Sequence, residues 1–312
     1  MRGDHDFSTR RAYPNARWHR MPVFCGWAEQ TTQCRPLGKG ASELASQSFY
    51  ESWIAELEVR GLPFGTIVID DKWQKRYGTF EVDEAKWPAM KSFVDAQHAR
   101  DRRVLLWLAS FNTEGLPPEL CLLDDGRPIA ADVTNPVYER MLREQIAVLV
   151  RDIGIDGFKV DWQCGCFQKP GLRAYAPITG IEFIRRFQYL IYDEAHKWKP
   201  DALIESHNCN PLFRDVIDVY RLGDIWFGTR NIAALMRTRS RIARAVGWDV
   251  IDCDNGSQTF PDEWFNYMKA QPSIGVPSLY ALHLSESTFE ELPEYMFRHI
   301  ADLWKRYIHE NV

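Results

Sequence analysis

Residues 157–162 read GFKVDW and end a short apolar run that begins at Ile153, a pattern typical of a buried β-strand. A cation, Lys159, and a carboxylate, Asp161, stand two residues apart, so their side chains point to the same face of a strand. Charged side chains are rarely buried without a partner. The pair is therefore either a structural ion pair or part of a polar binding site, and this segment alone leaves both interpretations open.

Seven further segments of this kind alternate with helical patterns. Strands that alternate with helices indicate βα units and a parallel sheet, and eight units predict a closed (β/α)8 TIM barrel in the α/β class. A doubly wound open sheet is the alternative, but no glycine-rich phosphate-binding pattern follows the first strand. The predicted strands are 22–27, 65–70, 103–109, 157–161, 202–206, 219–224, 249–252 and 276–282. The predicted helices are 42–60, 89–99, 136–152, 181–197, 211–217, 232–245, 262–271 and 292–309.

The composition suits a globular protein with one large core, since 45% of the 312 residues are hydrophobic and 26% are charged. We expect residues 1–20, which are polar and arginine-rich, to be a loose lead-in. Residues 21–312 are expected to form a single catalytic barrel without flanking β-sandwich domains. The net charge of −5 argues against a nucleic-acid partner.

No apolar run approaches the ~20 residues of a membrane-spanning helix, and the N-terminus lacks the apolar segment of a signal peptide. Seven irregularly spaced cysteines argue against a disulfide framework. We therefore expect a cytoplasmic protein that does not bind membranes. Cys164 and Cys166 are interpreted as ordinary thiols, because no second Cys/His pair has zinc-like spacing.

The C-terminal ends of the strands of such a barrel converge on one mouth, where active sites form. Nearly every predicted strand ends in a polar or aromatic group, and these groups follow the phase of the strands. They are Trp27, Asp70 and Asp71, Trp107, Lys159 and Asp161, Glu205 with Ser206 and His207, Arg221 and Asp224, Asp252 and Asp254, and His283.

Two carboxylates that face each other across a barrel mouth suit glycoside hydrolysis, in which one attacks the anomeric carbon and the other protonates the leaving oxygen. The nucleophile must be ionised, which Lys159 would favour for Asp161. The acid needs a raised pKa, which the charge of the first carboxylate would supply. Asp161 and Asp224 can fill these roles. A barrel-interior ion pair and a helix cap are the structural alternatives for them.

Several motifs occur in an order that resembles a known family. Residues 69–73, IDDKW, are followed by Gly78, Asp83, Trp87-Pro88 and His98, and residues 159–161, KVD, match a K-x-D pattern. Residues 24–27 (FCGW), 205–207 (ESH) and 220–225 (YRLGDI) fit the same series. Together they resemble the α-galactosidase clan of glycoside hydrolases, which includes melibiase and raffinose-acting enzymes and neighbouring α-glycosidase families.

The resemblance implies a retaining α-glycosidase with galactose as the expected sugar and no metal or organic cofactor. Asp161 would be the nucleophile that forms a covalent glycosyl intermediate, and Asp224 would be the acid/base. The residues expected to bind the substrate are Trp27, Asp70, Asp71, Trp107, Lys159, Glu205, His207 and Arg221. Two departures bear on the choice of sugar: Lys72 replaces a glycine of the family, and His207 replaces a cysteine.

Other functions remain open on the sequence. A transglycosylase or a different α-glycosidase would use the same barrel, and a sugar-binding barrel would keep the pocket without the acid/base. A metal-dependent isomerase or lyase would need an ion among Glu205, Asp252 and His283. The expected partner is an oligosaccharide or glycoside, and a homo-oligomer is left open.

Overall fold

Eight parallel strands form a barrel in the computed structural model, which describes residues 13–162, 171–178, 180–226, 228–254 and 260–312. The described residues contain ten strands, which in chain order are β1 Val23–Cys25, β2 Thr66–Ile69, β3 Arg103–Ala109, β4 Cys121–Asp124, β5 Arg127–Ala131, β6 Gly157–Asp161, β7 Leu203–Ser206, β8 Val219–Arg221, β9 Ile251–Asp252 and β10 Ser278–Leu279. Of these, β4 and β5 form a separate hairpin outside the barrel. The hydrogen-bonded order of the main sheet is β10-β1-β2-β3-β6-β7-β8-β9.

The barrel closes between β9 and the residues that lead into β10. The amide of Cys253 donates to the carbonyl of Val276 (2.9 Å), and the amide of Val276 donates to the carbonyl of Ile251 (2.7 Å). The two ends of the eight-stranded sheet are therefore joined, and the predicted (β/α)8 barrel is confirmed.

The helices pack around the barrel. They are α1 Trp27–Gln33, α2 Gln47–Val59, α3 Met90–His98, α4 Pro136–Ala147, α5 Gly180–Trp198, α6 Ile232–Val246, α7 Pro261–Ala270 and α8 Glu294–Asn311, and a π-helical segment, Val148–Ile153, continues α4. The short helix α1 was not predicted. The prediction of a helix over 211–217 is wrong, because the side chain of Asn210 accepts from the amide of Leu212 and starts only a 3-10 turn, Pro211–Phe213.

The long loop predicted after the third strand contains a β-hairpin, β4–β5. Its turn is Asp125-Gly126, and both residues have positive φ angles, 47° and 77°. An Asp-Gly pair in this conformation is the preferred two-residue hairpin turn, so the loop interpretation missed a signal that the sequence carries.

Close packing of β6 on β7 depends on Gly157. This residue has a φ of 149°, and a Cβ atom there would lie 1.9 Å from the carbonyl oxygen of Leu203. A side chain would push the strands apart, so glycine fixes the position of the strand that carries Lys159 and Asp161.

The described part of the lead-in packs against the barrel. Trp18 Nε1 donates to Asp201 Oδ2 (3.2 Å), and the ring of Tyr13 stacks on His196 with centroids 4.5 Å apart. Within the described residues, no helix has the length and apolar character needed to cross a membrane. Five described cysteines are free thiols, while Cys164 and Cys166 lie outside the described residues.

Candidate active site

The carboxylate of Asp161, at the end of β6, is held from several sides. Asp161 Oδ1 accepts from Arg221 Nη2 (3.0 Å) and from the backbone amide of Trp162 (2.9 Å). Trp107 Nε1 donates to Oδ2 (3.1 Å). Burial opposes ionisation of Asp161, but the charges of Arg221 and Lys159 outweigh it and hold its pKa well below the usual range. Asp161 is therefore an ionised and firmly oriented carboxylate.

His207 lies beside this carboxylate, with Nδ1 3.4 Å from Asp161 Oδ1 and 3.4 Å from Arg221 Nη2. Burial and the neighbouring Arg221 charge lower the pKa of His207. The imidazole is therefore mostly neutral near pH 7, and it lines the site as a polar group rather than as a second cation.

Lys159 contacts a different carboxylate from the one that the sequence suggested. Its Nζ is 2.8 Å from Asp70 Oδ2, and both side chains are buried. Cys25 Sγ also donates to Asp70 Oδ2 (3.0 Å). Although burial opposes its charge, Asp70 raises the pKa of Lys159 well above the usual value. Lys159 thus lowers the pKa of Asp161 by electrostatic attraction. Its direct ion pair is with Asp70 and joins the end of β2 to β6.

A single guanidinium joins the two predicted catalytic residues. Arg221 Nη1 is 2.9 Å from Asp224 Oδ1 and 2.7 Å from Asp254 Oδ2, while its Nη2 contacts Asp161. Because the guanidinium is a rigid planar fork, the Oδ1 atoms of Asp161 and Asp224 lie within about 8 Å of each other. Retaining enzymes hold their two carboxyl groups roughly 5–5.5 Å apart and inverting enzymes roughly 6.5–9.5 Å apart. This upper limit therefore admits a catalytic pair but does not choose between the two outcomes.

Asp224 differs from Asp161 in exposure, since 72% of its side chain is accessible against 16% for Asp161. Burial would raise the pKa of Asp224, but Arg221 outweighs it and lowers the pKa below the usual value. The expectation that this acid has a raised pKa is therefore wrong, because the charge of Arg221 lowers it.

The second residue of the Asp pair, Asp71, is the more accessible one. Tyr77 donates its hydroxyl to Asp71 Oδ1 (2.6 Å), and burial raises the pKa of Asp71 to about 6. Asp70 is buried and accepts from Lys159, from Cys25 and from the amide of Asp71. Of the two, Asp71 is better placed to bind a ligand hydroxyl, while Asp70 holds the backbone of Asp71 by accepting from its amide.

The aromatic residues are arranged differently from the prediction. Trp107 is only 2% exposed and lies behind Asp161, and Trp27 is the half-buried first residue of α1, packed against the core. Trp162 was not predicted as a site residue, yet it is 45% exposed and its ring lies edge-to-face with Trp107 (centroids 5.2 Å apart). Its signal in the sequence was its position directly after Asp161.

Glu205 and Asp252 lie in the barrel interior, below the mouth. Both are buried, and Glu205 Oε1 and Asp252 Oδ2 have no hydrogen-bond partner among the described residues. Burial and the nearby Asp252 raise the pKa of Glu205, and burial and Asp254 raise that of Asp252 to about 6. Glu205 is therefore placed under the site rather than on its surface.

His283 is separate from these carboxylates. Its Nδ1 is 2.6 Å from Glu29 and its Nε2 is 2.8 Å from Glu56, so both nitrogens are engaged. Nowhere in the described part of the chain do three or more His, Cys, Asp or Glu side chains form a group that could hold a metal ion. The arrangement does not support the metal-dependent alternative that the sequence left open.

Residues 22–297 match the model of the glycosyl hydrolases family 31 TIM-barrel domain. The chain belongs to glycosyl hydrolase family 31. Membership confirms the glycoside hydrolase part of the predicted resemblance, but it does not single out the α-galactosidase clan. No curated protein matches this family 31 chain.

Solved structures share the fold of the family 31 barrel at low identity. A family 31 sulfoquinovosidase from E. rectale has a TM-score of 0.73 at 12% identity, and the match covers 96% of this chain and 48% of that one. A cycloalternan-degrading enzyme from Trueperella pyogenes has a TM-score of 0.68 at 15% identity, covering 96% and 49%. A cycloalternan-forming enzyme from Listeria monocytogenes has a TM-score of 0.68 at 14% identity, covering 97% and 33%. The chain thus spans half or less of the length of these relatives.

Proposed function

We propose that this chain is the catalytic barrel of a retaining α-glycosidase, with Asp161 as nucleophile and Asp224 as acid/base. The observation that carries the proposal is the shared guanidinium of Arg221, which contacts an ionised, oriented carboxylate on one side and an exposed one on the other. Membership of family 31 supports the glycosidase activity, while the roles of Asp161 and Asp224 rest on their contacts.

In the first step, Asp161 attacks the anomeric carbon while Asp224 gives a proton to the glycosidic oxygen. The bond to the leaving group breaks, and a glycosyl ester of Asp161 forms. Asp161 Oδ2 is the better attacking atom, because it accepts one hydrogen bond from Trp107, whereas Oδ1 accepts from Arg221 and from the amide of Trp162.

In the second step, Asp224 takes a proton from water, and the resulting hydroxide attacks the anomeric carbon. Asp161 leaves as a carboxylate, and the sugar keeps its original configuration. A structure of the Trueperella pyogenes cycloalternan-degrading enzyme is described as a complex with a covalent intermediate, which is the species that this route requires.

Asp224 must hold a proton in the first step, although Arg221 lowers its pKa in the free protein. Its exposed side chain can turn away from Arg221, which keeps Asp161 and Asp254 as partners. A bound sugar would also bury Asp224 and so raise its pKa. Substrate binding is therefore expected to create the acid that the free site lacks.

We propose a neutral hexose as the sugar on the nonreducing side. Carboxylates outnumber cations around the mouth, where Lys159 and Arg221 are the buried cations, so a sugar that carries a sulfonate or carboxylate would be repelled. The carboxylates at the mouth are Asp71, Asp161, Asp224 and Asp254, while Asp70, Glu205 and Asp252 lie deeper. Galactose is suggested by the sequence motifs. Glucose is suggested by structural relatives whose complexes contain isomaltose.

The roles can be separated by azide rescue on α-galactosyl and α-glucosyl fluoride. In Asp161→Gly, azide should replace the nucleophile directly and give the β-glycosyl azide. In Asp224→Ala, azide should attack the Asp161 ester and give the α-glycosyl azide. Asp193→Asn, on the outer surface of α5, serves as a matched control with unchanged activity. The same azide configuration from both variants, or wild-type rates without azide, would contradict the assignment.

A non-catalytic sugar-binding barrel is the alternative. It predicts saturable binding of melibiose or isomaltose without turnover of either fluoride.

A further inference from the structure

Trp162 is a large apolar side chain left accessible beside the proposed nucleophile. Its ring is 45% exposed, and its own amide donates to Asp161 Oδ1 (2.9 Å). The residue has a φ of 58°, a left-handed conformation that is uncommon for a bulky residue and costs free energy.

Two further rings hold Trp162 in place. Trp107 meets it edge-to-face at 5.2 Å and 88°, and Tyr77 lies 5.6 Å away at 51°. Trp107 and Tyr77 also contact each other at 5.9 Å. Perpendicular packing of this kind is a favourable aromatic geometry. The three rings therefore form a preorganised unit, and Trp162 is its exposed member.

The same rings are tied to both polar parts of the site. Trp107 Nε1 donates to Asp161, and the Tyr77 hydroxyl donates to Asp71. Trp162 is thus fixed relative to the attacking carboxylate and to the carboxylate best placed to bind a sugar hydroxyl. Asp70 and Lys159 lie deeper and are buried, whereas Trp162 lies on the accessible side of Asp161.

Taking the proposed function as its basis, we propose that Trp162 is the platform for the sugar ring on the leaving-group side of the scissile bond. An aromatic face packs well against the apolar face of a pyranose, and a preorganised ring binds at a small entropic cost. The substrate class is then an oligosaccharide in which the terminal α-linked sugar is joined to another pyranose.

The test compares substrates with and without a leaving-group sugar. α-Galactosyl fluoride is paired with melibiose, and α-glucosyl fluoride with isomaltose; both disaccharides carry glucose as the leaving sugar, and fluoride has no ring to stack. In Trp162→Leu we expect kcat/KM for the disaccharide to fall roughly 10- to 100-fold, as expected for loss of a stacked ring, and that for the fluoride to change less than about 3-fold. Trp162→Phe should restore most of the disaccharide activity.

Trp198→Leu is the matched control, because Trp198 is 40% exposed at the end of α5, away from the mouth. It should leave both substrates unchanged. An equal loss for fluoride and disaccharide in Trp162→Leu, or an unchanged disaccharide rate, would overturn the platform while leaving the proposed function intact.

If the wild type hydrolyses neither fluoride, the proposed function fails for these sugars, and the platform is then judged by binding. Isothermal titration with isomaltose and melibiose should give binding to the wild type and to Trp198→Leu, and at least about 10-fold weaker binding to Trp162→Leu. Equal affinity in all three proteins, or no binding to any of them, would overturn the platform.

Discussion

The ends of β6 and β8 each present an aspartate to the barrel mouth, but the two are held in opposite ways. Asp161, at the end of β6, accepts from Arg221, Trp107 and the amide of Trp162, and 16% of its side chain is exposed. Asp224 follows β8 by three residues, contacts Arg221, and is 72% exposed. The carboxylate after β6 is thus fixed by three donors, whereas the one after β8 is largely exposed and contacts Arg221.

This difference matches what the two proposed roles require. A nucleophile must keep its charge and its direction of attack, so a network of donors suits it. An acid/base must gain a proton and later accept one, which is easier for a residue that can leave its cation. Arg221 couples the two residues, because one guanidinium contacts both carboxylates and lowers the pKa of both.

The largest expected effect is that of Asp161→Asn. We expect kcat to fall by at least about 10⁴-fold, because the amide cannot form the glycosyl ester. The free energy of unfolding should change by no more than about 1 kcal/mol, since Arg221 keeps Asp224 and Asp254 as partners. Steady-state kinetics and urea unfolding measure the two quantities. If the variant kept more than one-tenth of the activity, Asp161 would not be the nucleophile, and the proposed difference in role between Asp161 and Asp224 would be wrong.

Asp224→Ala should have a smaller effect that depends on the leaving group. A disaccharide needs a proton on its leaving oxygen, so its kcat should fall roughly 10²- to 10⁴-fold. Fluoride leaves with less help, so the first step with a glycosyl fluoride should be much less affected. Burst kinetics with both substrates check this. Equal losses for both substrates would show that Asp224 is not the acid.

Arg221→Lys should shift the pH dependence, because a lysine cannot contact both carboxylates as the planar fork does. Arg221 lowers the pKa of both Asp161 and Asp224, so the variant should raise both. Asp161 must be ionised and Asp224 protonated, so both limbs of the kcat/KM profile should move to higher pH, by about one unit or less. In the wild type, kcat/KM should rise as the pH falls from 7 to about 4. A fixed profile in the variant would contradict the coupling.

His283→Gln should have the smallest effect, on stability alone. Hydrogen bonds that His283 donates to Glu29 and Glu56 raise its pKa to about 10. A raised folded pKa means that the stabilisation is fully present below the unfolded value near 6.5 and is lost as the pH rises through about 10. The loss in free energy of unfolding should therefore be largest near pH 6, at roughly 1 kcal/mol or less for this half-exposed group. The difference in Tm from the wild type should follow it and vanish above about pH 10. His309→Gln, at the exposed end of α8, is the control. A Tm difference that does not depend on pH would contradict the ionic contacts of His283.

The sequence predicted the barrel because its strand and helix patterns are local and alternate regularly. It missed features in which a loop has structure of its own. The hairpin turn at Asp125-Gly126 lay inside a segment rich in Pro and Gly, where it was interpreted as a loop. The helix predicted over 211–217 gave way to a single turn, because a cap at Asn210 cannot be distinguished by pattern from the start of a longer helix.

The sequence predicted which residues lie in the candidate site better than it predicted which of them contact one another. Strand phase places Lys159 and Asp161 on one face, but it does not show that Asp70, from β2, reaches Lys159 while Arg221, from β8, reaches Asp161. Such partners depend on the tilt and radius of the closed barrel. Tyr77 carried no sequence signal, because its contact with Asp71 arises within a loop.

The covalent intermediate on Asp161 is the most direct test of the account. Incubation with 5-fluoro-α-glucosyl and 5-fluoro-α-galactosyl fluoride, followed by intact-protein and peptide mass spectrometry, should show one fluorosugar per chain. We predict that the sugar maps to Asp161 and that Asp161→Asn acquires none. An adduct on Asp224 or another residue, or turnover with inverted configuration and no adduct, would contradict the central claim.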